Sequence, residues 1–246
     1  MTVISDPLRF ARQENSCQGC PIRERALCAH CTDSELDRLE VMKSYRTWRA
    51  GEVVMCEGDD PDFVASVVSG CATLTRTSED GRAQMVGLLL PSDFVGRPGR
   101  ATAPYEIAAA SDLTLCMFRK APFEKLTAEM PHLHTRLLEM ALDELDAARD
   151  WMFLLARKTA REKVATFLLA LLRRAPNASA RRMEIPLSRE AIASYLGLTI
   201  ETVSRQITAL RKEGLIELEG ARGIFCPDLS RLAEVAGADE DGGLVA

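Results

Sequence analysis

Cysteine thiols are the side chains of this sequence whose types and spacing most clearly indicate chemistry. The chain has 246 residues and eight cysteines, four of which lie in the segment CQGCPIRERALCAHC as Cys17, Cys20, Cys28 and Cys31. Paired thiols two residues apart occur in both zinc and iron–sulfur sites. Because we recognise no secretory signal at the N-terminus, these thiols predict metal binding or redox sensing rather than disulfides. Spacing alone fits tetrahedral zinc and an iron–sulfur cluster equally well.

The other four cysteines are scattered along the chain. All four stand alone in their segments, with Cys116 in the apolar run DLTLCMF. A lone cysteine usually behaves as a small apolar residue. We therefore expect Cys56, Cys71 and Cys226 to be buried without a chemical role.

A second candidate site is a helix-turn-helix pattern near the C-terminal end of the chain. Ser188 and Thr199 are suitable N-caps for two short helices, and Gly197 permits the positive φ of a tight turn between them. The following segment LIELEGARGIFC predicts a hairpin that turns at Glu219-Gly220. Together these elements predict a winged helix-turn-helix.

The outward side chains of this motif are of the types that contact DNA. Arginine pairs bidentately with guanine, glutamate accepts a hydrogen bond from cytosine, and basic side chains bind phosphates. The alternative is a generic helical hairpin with a solvated charged face. The predicted DNA contacts are Arg189, Thr199, Ile200, Glu201, Ser204, Arg205, Arg211 and Lys212.

The distribution of charge supports a DNA-binding module at the same place. The whole chain has a net charge of −5, but residues 157–226 contain 13 Lys and Arg against 7 Asp and Glu. An acidic body with a basic C-terminal module is typical of a DNA-binding appendage, although an ordinary charge fluctuation is the alternative.

The part of the sequence between the cysteine segment and the helix-turn-helix, which includes Cys116, predicts short strands. From about Tyr45 to Lys120, short apolar runs alternate with turn signals, and Asp80-Gly81 separates two of them as in a hairpin. This spacing predicts an antiparallel β-roll or barrel.

One long helix is predicted to begin near Pro131. Its apolar residues recur three and four positions apart, which is the seam of a coiled coil and favours pairing with a second copy of the chain. The alternative is that the seam packs against the chain's own strands. In a parallel pair, Glu144 of one copy would approach Arg149 of the other. The predicted interface consists of Leu138, Ala141, Glu144, Leu145, Ala148, Arg149, Met152 and Leu155.

These elements predict an α+β protein with an N-terminal antiparallel β-roll, a long dimerisation helix and a C-terminal winged helix-turn-helix. The composition, 47% hydrophobic and 27% charged, is that of a folded protein. The predicted divisions are a cysteine-rich segment at 1–35, a β-roll at 36–130, a dimerisation helix at 131–157, a DNA-binding domain at 158–230 and a disordered tail at 231–246.

Several classes of protein are not expected from this sequence. No uncharged apolar run approaches about 18 residues, so we expect no transmembrane helix and, with no secretory signal, a cytoplasmic location. No Ser/His/Asp arrangement or phosphate-binding glycine loop is visible, and the chain has only three histidines. We therefore do not expect an enzyme.

The sequence resembles a known family of bacterial regulators over about residues 15–230. The segments FVASVVSGCATL, EDGR and LLLPSDFVG, the long helix and GLTIETVSRQI resemble the CRP/FNR family. The N-terminal cysteines, with Cys116 after the roll, resemble its oxygen-sensing Fnr branch in alphaproteobacteria. The resemblance implies a homodimeric, oxygen-responsive activator of transcription, active at low oxygen.

The same resemblance implies a [4Fe-4S] cluster held by three N-terminal cysteines and one cysteine of the roll. Cys17, Cys20 and Cys116 fall on ligand positions. The third N-terminal ligand is predicted as Cys28, with Cys31 as the alternate, because seven residues separate Cys20 from Cys28 where the best-known Fnr spacing has five. The alternative is a CRP-like regulator that senses a small molecule in the roll and holds structural zinc with its N-terminal cysteines.

The resemblance also implies the partners of the molecule. Glu201, Ser204 and Arg205 match the Fnr motif that recognises TTGAT-type half-sites in a palindrome. The turn Glu79, Asp80, Gly81 and Arg82 lies where family members contact RNA polymerase, with a plain hairpin turn as the alternative.

Two departures from the family pattern have consequences. Gly96 is not followed by the glutamate, nor Arg100 by the serine or threonine, of a cyclic-nucleotide site, so cyclic nucleotide is not an expected ligand. Ala148 stands where the enteric Fnr has an aspartate in its dimer helix, which leaves open whether oxygen yields monomers.

Overall fold

A computed structural model describes residues 16–175 and 181–237 of the chain. The chain divides into two compact units, residues 1–141 and 142–246. The predicted assignments for residues 1–15 and for the tail at 238–246 lie outside the described residues.

The N-terminal unit contains an antiparallel β-roll made of two four-stranded sheets, as predicted. The sheet orders are β1-β8-β3-β6 and β2-β7-β4-β5, and apolar side chains from both sheets form one buried core. The strands are β1 (Ser44–Trp48), β2 (Val53–Met55), β3 (Phe63–Ser69), β4 (Ala72–Thr77), β5 (Ala83–Leu89), β6 (Phe94–Val95), β7 (Glu106–Ala109) and β8 (Leu113–Arg119).

Three helices flank the roll. They are α1 (Asp33–Met42), α2 (Lys120–Glu129) and α3 (Pro131–Arg157). A capping box between Thr32 and Glu35 begins α1, and Leu36 and Leu39 bury its inner face. The long helix α3 begins at Pro131 as predicted, because proline suits the first turn of a helix.

Strand β8 is buried on both faces, and this places Cys116. Alternate side chains of a strand point to opposite faces. Leu113 and Leu115 therefore enter the core of the roll, whereas Cys116 and Phe118 enter a second apolar cluster together with helices α1 and α2 and the cysteine segment.

The C-terminal unit has the predicted winged helix-turn-helix. Its three-stranded sheet has the order β10-β11-β9. The elements are α4 (Ala160–Arg174), β9 (Arg182–Glu184), α5 (Arg189–Leu196), α6 (Ile200–Lys212), β10 (Glu217–Glu219), β11 (Gly223–Phe225) and α7 (Leu229–Ala236).

Helix α7 corrects the predicted disordered tail, because residues 231–236 are helical. The Asp228 carboxylate caps the helix, and Leu232 and Ala236 are fully buried. Lys158 Nζ and Thr166 Oγ1 donate hydrogen bonds to the Ala236 carbonyl at 2.7 and 3.3 Å. The sequence pattern did not predict this short amphipathic helix, because an acidic, glycine-rich sequence follows it directly.

No helix within the described ranges is long and apolar enough to cross a membrane.

Candidate functional site

Each Cys-x-x-Cys pair of the N-terminal segment closes one tight turn. The Cys20 N–H donates to the Cys17 carbonyl at 3.5 Å, and the Cys31 N–H donates to the Cys28 carbonyl at 3.1 Å. The residues between the two turns include Leu27, which is buried in the cluster beside β8. Burial of apolar side chains thus holds the segment against the roll.

The fifth thiol, Cys116, comes from β8 and enters the same cluster. In register, Cys116 is paired with Tyr45 on β1 and with Ser66 on β3. The thiol centre is defined here as the five cysteines of this cluster, of which three are buried and two are partly buried. Its members are Cys17, Cys20, Cys28, Cys31 and Cys116.

The electrostatics of the thiol centre show which thiols influence one another. Burial, followed by the neighbouring Cys20, Cys17 and Cys28 thiols, raises the pKa of Cys116 to about 12. Burial, followed by Cys20, raises the pKa of Cys28 to about 11. Burial also raises the pKa of Cys31 to about 12, and there the strongest thiol influence is that of Cys28. The five thiols thus share one apolar cluster, in which each of Cys28, Cys31 and Cys116 is affected by a neighbouring thiol.

Within residues 16–175 and 181–237, no three Cys, His, Asp or Glu side chains are grouped so as to hold a single metal ion. A tetrahedral zinc ion needs four donors within about 2.3 Å of one point. The thiol centre is a cluster of five thiols, of which Cys17, Cys31 and Cys116 are buried.

Sequence reasoning missed the polar side chains that hold the thiols. The Cys17 N–H donates to Glu40 Oε2 at 2.9 Å, and Lys43 Nζ donates to Cys17 Sγ at 3.3 Å. Tyr45 stands opposite Cys116 in register, and burial, followed by the Cys116 thiol, raises the pKa of Tyr45. These contacts depend on the end of α1 and on strand register, so no local pattern could have indicated them.

The first turns of α3 also contact the cysteine segment. Arg136 Nη2 donates to the Arg25 carbonyl at 2.9 Å, and its Nη1 donates to Glu139 Oε2 at 3.1 Å. His30 Nδ1 lies 3.6 Å from the same carboxylate oxygen. The segment that carries the thiols is thus attached to the helix that carries the predicted dimer interface.

The apolar seam of α3 is exposed to solvent. Leu138, Leu145 and Met152 are 55%, 45% and 70% exposed. Within the N-terminal unit, the seam residues Leu138 and Ala141 are exposed and are not part of the core of the roll. Arg149, predicted to meet Glu144 of a second copy, pairs with Asp146 of its own helix at 2.9 Å. The exposed apolar seam consists of Leu138, Ala141, Leu145, Ala148, Met152 and Leu155.

The predicted caps and turn of the helix-turn-helix are confirmed. Ser188 Oγ accepts from the Ala191 N–H at 3.1 Å, and Thr199 Oγ1 accepts from the Thr202 N–H at 3.2 Å. Gly197 has a φ of +61° in the left-handed region. The inner side chains that pack the two helices are buried: Ile192, Leu196, Val203, Ile207 and Leu210.

Helix α6 presents the recognition surface, defined as the predicted DNA contacts on this helix together with its N-cap Thr199, all of which are exposed. Arg205 Nη2 donates to Thr202 Oγ1 at 3.2 Å. Backbone and Thr199 hydrogen bonds, followed by the charge of Arg205, lower the pKa of Glu201 and keep it an acceptor. The members of the surface are Thr199, Ile200, Glu201, Ser204, Arg205, Arg211 and Lys212.

Arg189 differs from the other predicted DNA contacts because it is half-buried. Burial lowers its pKa, and its Nη1 is buried without a hydrogen-bond partner among the described residues. A buried donor without a partner is destabilising unless a ligand supplies an acceptor.

The predicted polymerase turn is an ordered hairpin tip. Gly81 has a φ of +82°, and Arg82 Nε donates to Asp80 Oδ2 at 2.7 Å. Ser78 N–H donates to the Arg82 carbonyl at 2.9 Å, so the turn closes the β4–β5 hairpin. All four predicted residues, Glu79, Asp80, Gly81 and Arg82, are exposed.

Two further predictions concern the cyclic-nucleotide pattern of the roll and the scattered cysteines. Arg100, which lacks the following serine or threonine of a cyclic-nucleotide site, is exposed, and its carbonyl accepts a hydrogen bond from Lys120. The prediction that Cys56 is buried is wrong, because its thiol lies in an exposed turn after β2. Cys71 and Cys226 are buried as expected.

A winged helix-turn-helix with an exposed polar recognition helix, in a chain that also carries a β-roll and a long helix, defines a DNA-binding transcriptional regulator. Comparison with known sequences agrees. A model of the cyclic nucleotide-binding domain matches residues 45–130, and a model of the Crp-like helix-turn-helix domain matches residues 162–235.

Whole-chain relatives are regulators and not enzymes. Transcriptional activator protein FnrL of Cereibacter sphaeroides is 57% identical, over 93% of this chain and 94% of that protein. Nitrogen fixation regulation protein FixK of Bradyrhizobium diazoefficiens is 39% identical, over 90% and 94%. The solved structure of FixK2 from Bradyrhizobium japonicum has a TM-score of 0.74 at 34% identity, covering 80% of this chain and 98% of that one. The chain belongs to the CRP/FNR family of transcriptional regulators.

Proposed function

We propose that this chain is a cytoplasmic, oxygen-responsive transcriptional activator that binds palindromic promoter DNA as a homodimer at low oxygen and carries a [4Fe-4S] cluster. The observation that carries the proposal is the buried cluster that Cys116 of β8 shares with the N-terminal thiols. A zinc site made of the four N-terminal cysteines would not require Cys116 to lie there. The name of the FnrL relative supports the activator role.

The donor set fits an iron–sulfur cluster, because four cysteine thiolates are the usual ligands of such clusters. Cys17, Cys20, Cys28 and Cys116 would hold it, with Cys31 as the alternate third N-terminal ligand. When bound, the cluster supplies an oxygen-labile link between the N-terminal segment and β8.

The chain's own residues connect this centre to dimerisation. Arg136 and Glu139 attach the cysteine segment to α3, and the exposed seam of α3 offers apolar surface to the same seam of a second copy. Apolar residues at alternate spacings of three and four are the arrangement that parallel helices bury between them. A stable position of the cysteine segment therefore favours a stable position of the seam.

A two-fold dimer places two α6 helices against successive major grooves, one DNA turn apart. Arg205 and Glu201 then contact base edges, while Lys212 and Arg211 contact phosphates. Arg189, which is half-buried at the start of α5, is a further proposed contact with DNA. The exposed turn Glu79–Arg82 is the proposed contact with RNA polymerase, and no cyclic nucleotide is required.

Anaerobic purification with metal and sulfide analysis tests the proposal. The chain isolated without oxygen should contain about four irons and four sulfides, absorb visible light and bind a palindromic site. Exposure to air should remove the absorbance and weaken DNA binding, whereas a sample kept under nitrogen for the same time should retain both. One zinc per chain with neither iron nor sulfide would contradict the proposal and support the zinc alternative.

A further inference from the structure

A guanidinium group lies inside the loop between Cys20 and Cys31. Arg23 Nη1 donates to the carbonyl oxygens of Cys28 and Ala29 at 2.6 and 2.7 Å, and its Nη2 donates to the carbonyl of Cys31 at 3.0 Å. Three carbonyl groups of the second Cys-x-x-Cys turn thus converge on one side chain. The Cys28 carbonyl also accepts the hydrogen bond that closes this turn.

Arginine is suited to this arrangement for a physical reason. Its planar guanidinium presents several N–H donors in a fixed fork, whereas a lysine ammonium is a compact point charge. Hydrogen bonds from a charged donor are shorter and stronger than those between neutral groups. Loss of Arg23 would leave converging carbonyl dipoles without their shared cation.

The other side of the loop is held by apolar burial. Ile22, Ala26 and Leu27 are 6%, 1% and 2% exposed, and the Ala26 N–H donates to the Ile22 carbonyl at 2.8 Å. These residues fix the first part of the loop against the roll. The second turn follows them and contacts the first part through Arg23.

We propose that Arg23 is a positioning residue of the thiol centre, which fixes the turn Cys28–Cys31 so that the Cys28 thiol stands beside Cys17, Cys20 and Cys116. The proposal rests on the proposed function for the identity of the group that these thiols bind. The seven residues between Cys20 and Cys28 form a loop that can adopt many conformations. The hydrogen bonds of Arg23 close this loop and so reduce the number of conformations.

The test compares Arg23→Gln and Arg23→Lys with Arg25→Gln in the full-length chain. Arg25 is exposed and lies two residues away in the same segment, so its substitution removes the same charge without removing the three hydrogen bonds. In the metal-free chain, the rates at which iodoacetamide alkylates individual cysteines are followed by mass spectrometry. Cys71, which is 2% exposed in the roll, reports whether each variant is folded.

We expect Arg23→Gln to speed alkylation of Cys28 by about tenfold, because charged hydrogen bonds that close the loop are lost. Arg23→Lys should have an intermediate effect, and Arg25→Gln should match the wild type. In chains isolated without oxygen, Arg23→Gln should hold less than about half of the wild-type iron and sulfide.

The role of Arg23 and the proposed function are tested by different measurements. Alkylation of Cys28 at the wild-type rate in Arg23→Gln, with Cys71 protected, would overturn the role of Arg23. Equal effects of Arg23→Gln and Arg25→Gln would overturn it too, because charge alone would then be responsible. A wild-type chain without iron would instead overturn the proposed function. Alkylation of Cys71 in Arg23→Gln would show that this variant is not folded. The alkylation rate of Cys28 in the milder Arg23→Lys variant is then compared with the rates in Arg25→Gln and the wild type.

Discussion

The recognition surface and the thiol centre are built in opposite ways. The recognition surface consists of exposed side chains from α6 and its N-cap, so its arrangement follows from one helical period and one tight turn. The thiol centre is mostly buried and joins residues 17–31 to Cys116 of β8, so its arrangement depends on strand register and on the packing of a loop. A local site depends on its own sequence, whereas a site assembled from distant segments depends on the whole unit around it.

The largest expected effect is that of Cys116→Ser, which removes the distant member of the thiol centre. Changes around a metal ligand alone reduce metal affinity by about 10–100-fold, and loss of a ligand should cost more. We expect iron, visible absorbance and anaerobic DNA binding to fall to the level of a metal-free chain. Cys71→Ser, at a buried cysteine of the same roll, is the control. Equal behaviour of the two variants would show that Cys116 has only a packing role.

Cys28→Ser and Cys31→Ser sharpen the comparison within the thiol centre. The family resemblance assigns Cys28 as the third N-terminal ligand, with Cys31 as the alternate, so we expect Cys28→Ser to lose most iron and Cys31→Ser to retain most of it. Iron and sulfide per chain, measured without oxygen, give the answer. The reverse result would assign the third N-terminal ligand to Cys31 and leave the proposed function unchanged.

Ala148→Asp tests the helix that connects the two regions. In a two-fold dimer it places two like charges on a close-packed seam, where burial and repulsion both oppose association. We expect the dimer to weaken by at least about 2 kcal/mol, roughly thirtyfold in its dissociation constant. Sedimentation without oxygen measures this, with Thr135→Asp at an exposed position off the seam as the control. An unchanged dimer constant would show that the seam is not the interface.

Arg205→Ala and Lys212→Ala separate base recognition from phosphate binding on the recognition surface. Arg205→Ala should cost about 1–3 kcal/mol on the specific site and relax discrimination at one base pair. Lys212→Ala should weaken binding to all sequences alike and reduce the salt dependence by about one charge. Gel-shift titrations on specific and scrambled DNA at several salt concentrations distinguish them. Equal losses on both DNAs for both variants would mean that α6 is not the recognition helix.

The smallest expected effect is that of Gly197→Ala in the turn before α6. A Cβ would meet only Leu155 Cδ2, at an ordinary distance of 3.8 Å, so the cost comes from the positive φ and amounts to about 1 kcal/mol. The thermal midpoint of the DNA-binding unit should fall by a few degrees, with unchanged iron content. A parallel loss of iron would show that the two regions are not independent.

The difference between a local recognition surface and an assembled thiol centre also explains which features the sequence could predict. The N-caps Ser188 and Thr199 and the turn at Gly197 follow from residue type and local spacing, and the structure has all three. Only the resemblance to a family indicates Cys116 as a cluster ligand, since nothing in the run DLTLCMF distinguishes a ligand from a buried apolar residue.

The contacts that hold the thiols were beyond the reach of sequence patterns. Tyr45 stands opposite Cys116 only because β1 and β8 pair in one register, and the Lys43–Cys17 contact requires the end of α1 to return to the segment. Arg23 looked like one of several charged residues in a loop. Its role depends on where three carbonyl groups point, which side-chain type and spacing do not determine.

Helix α3 carries its contacts with the cysteine segment and its exposed seam on different faces. At about 100° per residue, Arg136 and Glu139, which contact the cysteine segment, lie on roughly the opposite side of the helix from Leu138 and Ala141 of the seam. In the proposed dimer, one side of this helix contacts the cysteine segment and the other side pairs with the second copy, so a rotation of the helix about its axis would move the seam. Since side chains extend about 5 Å from the helix axis, a roll of about 20° would carry the seam through about 2 Å. That displacement is comparable to the radius of a methyl group, and so large enough to move an apolar knob out of its hole.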